Sequence, residues 1–270
     1  MKHIVVIGGG PGGYPAALKA ASLGAQVTLV EKNKLGGVCL NCGCIPSKSL
    51  LDAAHRFHSA RTAAGLCTED GQAAAEALFA ARDWKKIQAR QQAATRKLTQ
   101  GIAFLLKKGG VRVLQGEASF INEQTVLVKR TDGTERTLSC DGIILAAGSE
   151  AFFPPPFDKM KDKIYDNSTI FDIENLPKTL VIIGGGVIGC ELADLMNDLG
   201  VSVSVVEMQP RILPLEDENA ARVLAQALSK RGVTFYTGLS ATDCTAREGG
   251  FTLTLSDGKV LQTQAVLAAI

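Results

Sequence analysis

One unit of strand, glycine-rich turn, helix and terminal acid occurs twice in this 270-residue chain, and at constant spacing. Residues 3–7 (HIVVI) form an apolar run that breaks at Gly8-Gly9-Gly10-Pro11-Gly12-Gly13, a helical pattern follows to Gly24, and residues 27–32 (VTLVEK) read as a second buried parallel strand. Residues 180–207 (LVIIGGGVIGCELADLMNDLGVSVSVVE) reproduce the unit. The offset is 176 residues for the first glycines (184 − 8), for the helix-ending glycines (200 − 24) and for the acids (207 − 31). A β-α-β unit made twice commits the chain to two parallel sheets covered by helices.

Each copy also carries a chemical signature. Gly8, Gly10 and Gly13, and again Gly184, Gly186 and Gly189, spell G-x-G-x-x-G. Glycines at this spacing allow a tight turn and close helix packing, and they bring a pyrophosphate onto the positive N-terminus of the helix. Glu31 and Glu207 end the second strands, where a carboxylate can accept ribose hydroxyls. The glycine pattern alone also occurs in plain turns; with strand, helix and acid in place it implies two dinucleotide sites, against the alternative of a purely structural duplication.

Composition narrows the class. With 46% hydrophobic and 21% charged residues the chain can bury two cores, and a net charge of +2 with the signs interspersed provides no footprint for nucleic acid or a membrane surface. The apolar runs, such as residues 180–190, are interrupted by glycine and too short to span a bilayer, and residues 1–3 pass straight into a strand pattern with no room for a signal peptide. A cytoplasmic protein with small-molecule partners is expected. Seven cysteines, an odd number, do not suggest a structural disulfide framework, so any disulfide would be functional.

Between and after the repeats the pattern predicts a helix over 45–61 with Pro46 near its start, and one or two long helices over 72–108. Trp84, Ile87, Leu98, Ile102 and Leu105 fit a core-facing stripe on the latter. Strands follow at 111–114, 117–121, 125–129 and 137–138, then a buried strand within 141–149. Pro154-Pro155-Pro156 and the polar stretch to Pro177 read as a linker. A helix over 217–230 and strands near 233–236, 251–256 and 266–270 complete the chain. Pro15, four residues past Pro11, predicts a first helix that starts late or lacks one bond.

Residues 36–48 (GGVCLNCGCIPSK) hold three cysteines within six positions. Cys39 and Cys44 form C-x4-C and Cys42 adds C-x2-C, a set compatible with a disulfide, a metal or neither. Residues five apart on a regular helix rise about 7.5 Å, beyond the usual Cα separation of a disulfide, so Cys39 and Cys44 cannot pair within one regular helix. Gly43 and Pro46 suit an irregular loop there, Cys42 leaves an off-pattern disulfide open, and a zinc or iron site would lack an evident fourth ligand.

Two dinucleotide units with C-x4-C in the first resemble the flavoprotein disulfide reductases. The resemblance covers essentially the whole chain through GG-x-C-x-N-x-GC-I-P-S-K, an A-x-GS strand end at 146–149, GGG-x-IG-x-E at 184–191 and the start of a closing VLxAIG pattern at 266–270. Residues 45–48 and the Leu40-Asn41 context lean towards the lipoamide branch, dihydrolipoamide dehydrogenase, rather than relatives that reduce other disulfides or mercuric ion. The implied fold is α/β, with two Rossmann-like FAD/NAD(P)-binding domains (1–150 and 151–270), three-layer parallel sheets and a small antiparallel β meander. The resemblance assigns FAD to Gly8, Gly10, Gly13, Glu31, Lys32, Gly37, Cys39, Cys44, Lys48, Ala118, Ala147 and Gly148, where Ala147 replaces a common threonine. It assigns a nicotinamide nucleotide to Gly184, Gly186, Gly189 and Glu207; the carboxylate of Glu207 would accept the 2′-hydroxyl of NAD and repel the 2′-phosphate of NADP, so NAD is expected.

The resemblance further implies catalytic roles for Cys39, Cys44, Lys48 and Glu191. Cys44 would be the thiol beside the flavin, able to donate charge to it as thiolate, and Cys39 the outer interchange thiol. A reduced dithiol would attack the Cys39–Cys44 disulfide, electrons would pass into FAD, and a hydride would leave for NAD. Lys48 and Glu191 resemble an ion pair near the flavin; on residues alone Lys48 is an exposed helix charge. The family continues beyond residue 270 into an interface domain whose histidine and glutamate move the protons and which makes the homodimer. His3, His55 and His58 match no such context, and the last two read as helix surface. The expectation is therefore a fragment of the full enzyme, inactive alone, whose substrate is a small dithiol or the lipoyl domain of a 2-oxo acid dehydrogenase complex. A non-catalytic FAD/NAD-binding module, a reductase of another disulfide or metal ion, and a thiol-dependent metal protein are the alternatives.

Overall fold

A computed structural model describes every residue from Met1 to Ile270. In chain order the elements are β1 (His3–Ile7), α1 (Gly13–Ser22), β2 (Gln26–Glu31), α2 (Gly37–Cys42), α3 (Cys44–Ala64), α4 (Glu69–Ala80), α5 (Trp84–Lys108), β3 (Arg112–Gln115), β4 (Glu117–Asn122), β5 (Thr125–Lys129), β6 (Glu135–Ser139) and β7 (Gly142–Leu145). They continue with β8 (Tyr165–Asp166), β9 (Thr179–Ile183), α6 (Val187–Asp198), β10 (Ser202–Glu207), α7 (Glu218–Lys230), β11 (Thr234–Thr237), β12 (Ala241–Arg247), β13 (Gly250–Leu255), β14 (Val260–Thr263) and β15 (Ala265–Ala268). No helix is long and apolar enough to cross a membrane.

The chain divides into two compact units, one of Met1–Pro46 and Gln91–Glu150, the other of Ser47–Arg90 and Ala151–Ile270. The first holds a parallel sheet in the order β3-β2-β1-β7, the second a parallel sheet in the order β11-β10-β9-β15-β8. Continuous apolar runs form the central strands because both faces are covered: Val5, Val6, Leu29, Ile182 and Val205 are wholly buried. In each unit the chain leaves the central strand towards one side and returns on the other. The switch point, where α/β sheets bind ligands, therefore lies at the C-terminal ends of β1 and β9. The glycine turns stand there.

Several expectations change in register or extent. Each unit adds its own antiparallel meander, β4-β5-β6 and β12-β13-β14, where one was expected. Residues 47–90 group with the second unit rather than with the rest of 1–150. The cause is visible in buried bonds: the indole Nε1 of Trp84 and the amide Nε2 of Gln88 both donate to the Ile173 carbonyl at 2.9 Å, and Arg82 Nη2 donates to Leu199 O at 2.8 Å. On α5, Trp84, Ile87 and Ile102 are buried as the stripe predicts, whereas Leu98 and Leu105 are exposed and Leu106 is buried in place of Leu105. The 154–177 stretch is no open linker, since Phe157, Ile164, Ile170, Phe171 and Ile173 are buried and β8 pairs with β15. Strand β7 is an edge with Leu145 exposed, not the buried strand expected.

Pro15 behaves as its chemistry requires. Helix α6 begins at Val187, which corresponds to Pro11 in the first copy (187 − 176), yet α1 begins two residues later at Gly13. A proline at 15 has no N–H for the Pro11 carbonyl, so that first bond cannot form, while the Tyr14 N–H still reaches Gly10 O at 3.1 Å. Within α1 the proline sits in the first turn, where an N–H would have no intrahelical partner.

The Trp84 anchor yields a stability prediction. Trp84→Phe is expected to lower the unfolding free energy by about 1–2 kcal/mol, through lost volume and one lost hydrogen bond, because Gln88 still satisfies the Ile173 carbonyl. Urea unfolding followed by circular dichroism measures this; an unchanged midpoint would remove Trp84 as an anchor of residues 47–90.

Candidate functional site

The two glycine turns are built alike, bond for bond. Gly8 N–H donates to Val30 O and Gly184 N–H to Val206 O, each at 2.8 Å, which ties the turn to the neighbouring strand. Gly9 N–H donates to Glu31 Oε2 at 2.6 Å and Gly185 N–H to Glu207 Oε2 at 2.7 Å. The other carboxylate oxygens accept from Asn33 N–H and Gln209 N–H, both at 2.7 Å. Glu31 and Glu207 are buried, so these charge-assisted bonds are shielded from water. Each carboxylate thus braces its turn, and each oxygen keeps a lone pair for a ribose hydroxyl.

The glycines of each triplet separate by role. Gly8 and Gly184 have φ of +100° and +103°, and a Cβ on Gly13 or Gly189 would stand 1.8 or 2.0 Å from the carbonyl oxygen of Gly8 or Gly184. These four are glycine because the protein itself leaves no alternative. Gly186 differs: its φ of −71° suits any residue and nothing lies within 4 Å of an added Cβ. Gly10 meets only Gly37 Cα, at an ordinary 3.6 Å. The middle glycines are spared by the fold and front open space at a helix N-terminus, which is the cradle a pyrophosphate fits.

The cysteine stretch leaves the first turn directly. Gly36 N–H donates to Gly9 O at 2.9 Å, and a Cβ on Gly37 would come within 2.7 Å of Gly10 Cα, so the two backbones lie in contact. Asn41, to which the sequence assigned no role, donates through Nδ2 to Leu35 O at 3.0 Å and Gly37 O at 2.9 Å, pinning α2 to the preceding loop. Cys39 lies on α2 and Cys44 opens α3. Gly43 parts the two helices, and a Cβ added to it would stand 3.0 Å from Val38 O and 3.2 Å from Cys39 Cα, so the predicted break in regular helix between the cysteines is present. The three buried cysteines are disarmed: burial, reinforced by Glu207, pushes the Cys190 thiol up to about 11, burial with Asp243 does the same to Cys244, and burial raises Cys140, while Cys42 stays half-buried on α2.

The remaining candidates are located as follows. Ala118 lies in β4 opposite Val128, and Ala147 and the left-handed Gly148 follow β7 at the switch point. Lys32 Nζ is 3.2 Å from Glu150 Oε1 at the surface. In the second unit Lys48 Nζ lies 2.6 Å from Glu191 Oε1, with Lys48 largely exposed and Glu191 mostly covered, so Lys48 is a paired rather than a solitary helix charge. His55 and His58 are not plain helix surface either, because both contact carboxylates on α6.

Residues 2–270 match the pyridine nucleotide-disulphide oxidoreductase family. The chain belongs to that family. The chain is 40% identical to dihydrolipoyl dehydrogenase of Bacillus subtilis over 248 residues, covering 90% of the chain and 52% of the relative. It is 42% identical to dihydrolipoyl dehydrogenase of Pseudomonas aeruginosa over 239 residues, covering 88% of the chain and 50% of the relative. Among solved structures LpdA from Mycobacterium tuberculosis superposes with a TM-score of 0.89 at 28% identity, covering 100% of this chain and 58% of that one. The chain therefore spans about half the length of the curated relatives it matches.

Proposed function

We propose that this chain forms the cofactor-binding part of a dihydrolipoyl dehydrogenase, with FAD in the first unit, NAD in the second and Cys39 and Cys44 as the redox-active pair. The observation that carries the reading is the seating of residues 36–48 against the first glycine turn through Gly36 N–H to Gly9 O and Gly37 against Gly10. That contact ties a cysteine pair to the pyrophosphate cradle, which a nucleotide-binding module without thiol chemistry would not need. The net reaction is dihydrolipoamide plus NAD⁺ giving lipoamide, NADH and a proton; two thiols of the substrate become a disulfide and two electrons move to the nicotinamide.

In this scheme the N–H groups at the start of α1 and the Gly10 backbone hold one pyrophosphate, and those at the start of α6 with Gly186 hold the other. Glu31 and Glu207 fix the turns and orient the riboses. The family resemblance gives Cys39 the exchange with the substrate and Cys44 the passage of electrons inward; in the chain by itself Cys44 is exposed and Cys39 half-buried. When bound, FAD would supply the two-electron chemistry that links the thiol pair to the nicotinamide. Lys48 and Glu191 form the charge pair assigned to tuning that transfer. The proposed partners are a small dithiol or a lipoyl-bearing protein, with a homodimer as the assembled form.

The purified chain tests the reading through its visible spectrum before and after dihydrolipoamide. A yellow protein that gains long-wavelength absorption with dithiol, and loses that gain in Cys44→Ser, is the expected result. A protein that stays colourless after incubation with FAD overturns the flavoenzyme assignment and leaves a nicotinamide-binding module.

A further inference from the structure

Away from both glycine turns, the second unit brings two carboxylates of α6 against two imidazoles of α3. Asp194 and Asp198 are one turn apart, as are His55 and His58, so each pair shares a helix face. The carboxylates are held the same way round. Their Oδ1 atoms face Arg231, whose Nη2 is 2.6 Å from Asp194 Oδ1 and also pairs with Asp198 Oδ1; His58 Nδ1 lies 3.1 Å from that second oxygen. Their Oδ2 atoms turn the other way, to His55 Nε2, at 3.0 Å for Asp194 and 3.4 Å for Asp198.

The Asp198 side chain is fully buried, and its Oδ2 has no hydrogen-bond partner. A buried carboxylate oxygen without a hydrogen bond carries a desolvation cost, and the contact this one has is the His55 imidazole at 3.4 Å. Three donor atoms from three side chains, all within 4.8 Å of one another, converge on that spot. Ligands bound to zinc at about 2.0–2.1 Å in a tetrahedron stand about 3.3 Å apart, which is the spacing the two His55 contacts already have.

We infer that His55 Nε2, Asp194 Oδ2 and Asp198 Oδ2 form a binding site for a divalent first-row transition cation of the zinc type. One imidazole and two carboxylates suit such an ion and leave a coordination position for water. Arg231 and His58 then act from behind, paired by charge with the non-ligating oxygens and fixing the carboxylates, as outer partners of metal ligands do. His55 is half exposed, which provides an entry path. The ion would join α3 to α6, and because the unfolded chain lacks the constellation, binding would raise the melting temperature. The inference stands independently of the nucleotide assignments.

Cobalt(II) and zinc(II) are the probes, used on the chelator-treated full chain. Expected are one equivalent of cobalt with visible d–d bands and without the intense near-ultraviolet absorption of thiolate ligation, and a zinc-dependent rise in melting temperature. His55→Ala should weaken cobalt binding at least about a hundredfold and abolish the thermal shift, and His58→Ala should weaken it about tenfold. The buried Asp198 is left intact in both variants, and circular dichroism checks that they fold. Absence of cobalt binding, thiolate-type spectra, or equal affinity in wild type and His55→Ala would each overturn the site.

Discussion

Gly189→Val is expected to leave little folded protein, while Gly186→Val is expected to fold as wild type and to lose NAD affinity by at least about a hundredfold. The two glycines stand three residues apart in one turn, yet their surroundings are opposite. A Cβ on Gly189 would lie 2.0 Å from Gly184 O and 3.5 Å from Ile182 Cγ2, with the turn held to β10 by the Gly184 and Gly185 N–H bonds and to β15 by Ala269 N–H on Ile183 O. The Gly184 carbonyl is backbone and cannot yield as a flexible side chain would, so the substitution must push α6 away from β9, at a cost of more than about 3 kcal/mol. At Gly186 the backbone is extended in ψ, with φ −71° and ψ −172°, and an added side chain meets no atom of the protein within 4 Å. Its effect on stability should stay within about 0.5 kcal/mol. What it would meet is a pyrophosphate brought onto the first turn of α6. Thermal melts and calorimetric titration with NAD read the two effects separately; wild-type NAD binding by Gly186→Val would mean that the open space is not the nucleotide's.

The repeat made the central architecture legible because glycine, apolar run and terminal acid are local signals with a fixed spacing. Both turns and both carboxylates stand where that spacing predicts, and the helix break at Gly43 stands where the separation of Cys39 and Cys44 requires one. What escaped depended on partners distant in sequence. Residues 47–90 look like a continuation of the first domain until the indole of Trp84 is seen on Ile173 O, 89 residues away. His55 and His58 read as surface because nothing local announces carboxylates on α6, 139 residues from His55 at Asp194. Leu98 and Leu105 fit the stripe on α5 by period, but a helix of 25 residues accumulates angular drift, and Leu106 takes the buried position instead. The brace between each glutamate and its glycine turn is illegible for another reason: a strand-end acid suits a ribose by itself, and only side-chain orientation reveals that it also accepts from the turn's N–H.

That second role sets the other large effect, at Glu207. Glu207→Ala is expected to lower the unfolding free energy by about 2–5 kcal/mol and to weaken NAD binding, since it orphans the buried N–H of Gly185 and removes the acceptor of Gln209 N–H. Glu207→Gln keeps the shape but sets an amide NH2 against one of those N–H groups at a 2.7 Å contact, so it too should be destabilised, by a smaller amount. Loss of the brace loosens the turn for any dinucleotide and so weakens NAD and NADP alike. Reading of the 2′-hydroxyl is different, because only NADP brings a phosphate dianion towards the carboxylate. The ratio of the two dissociation constants therefore isolates the specificity role from the structural one. It should fall at least about tenfold towards unity in Glu207→Ala and in Glu207→Gln, both of which remove the negative charge. A ratio that stays at the wild-type value while both affinities drop would make Glu207 a brace alone, and the preference for NAD would have to reside in another residue of the β10 end.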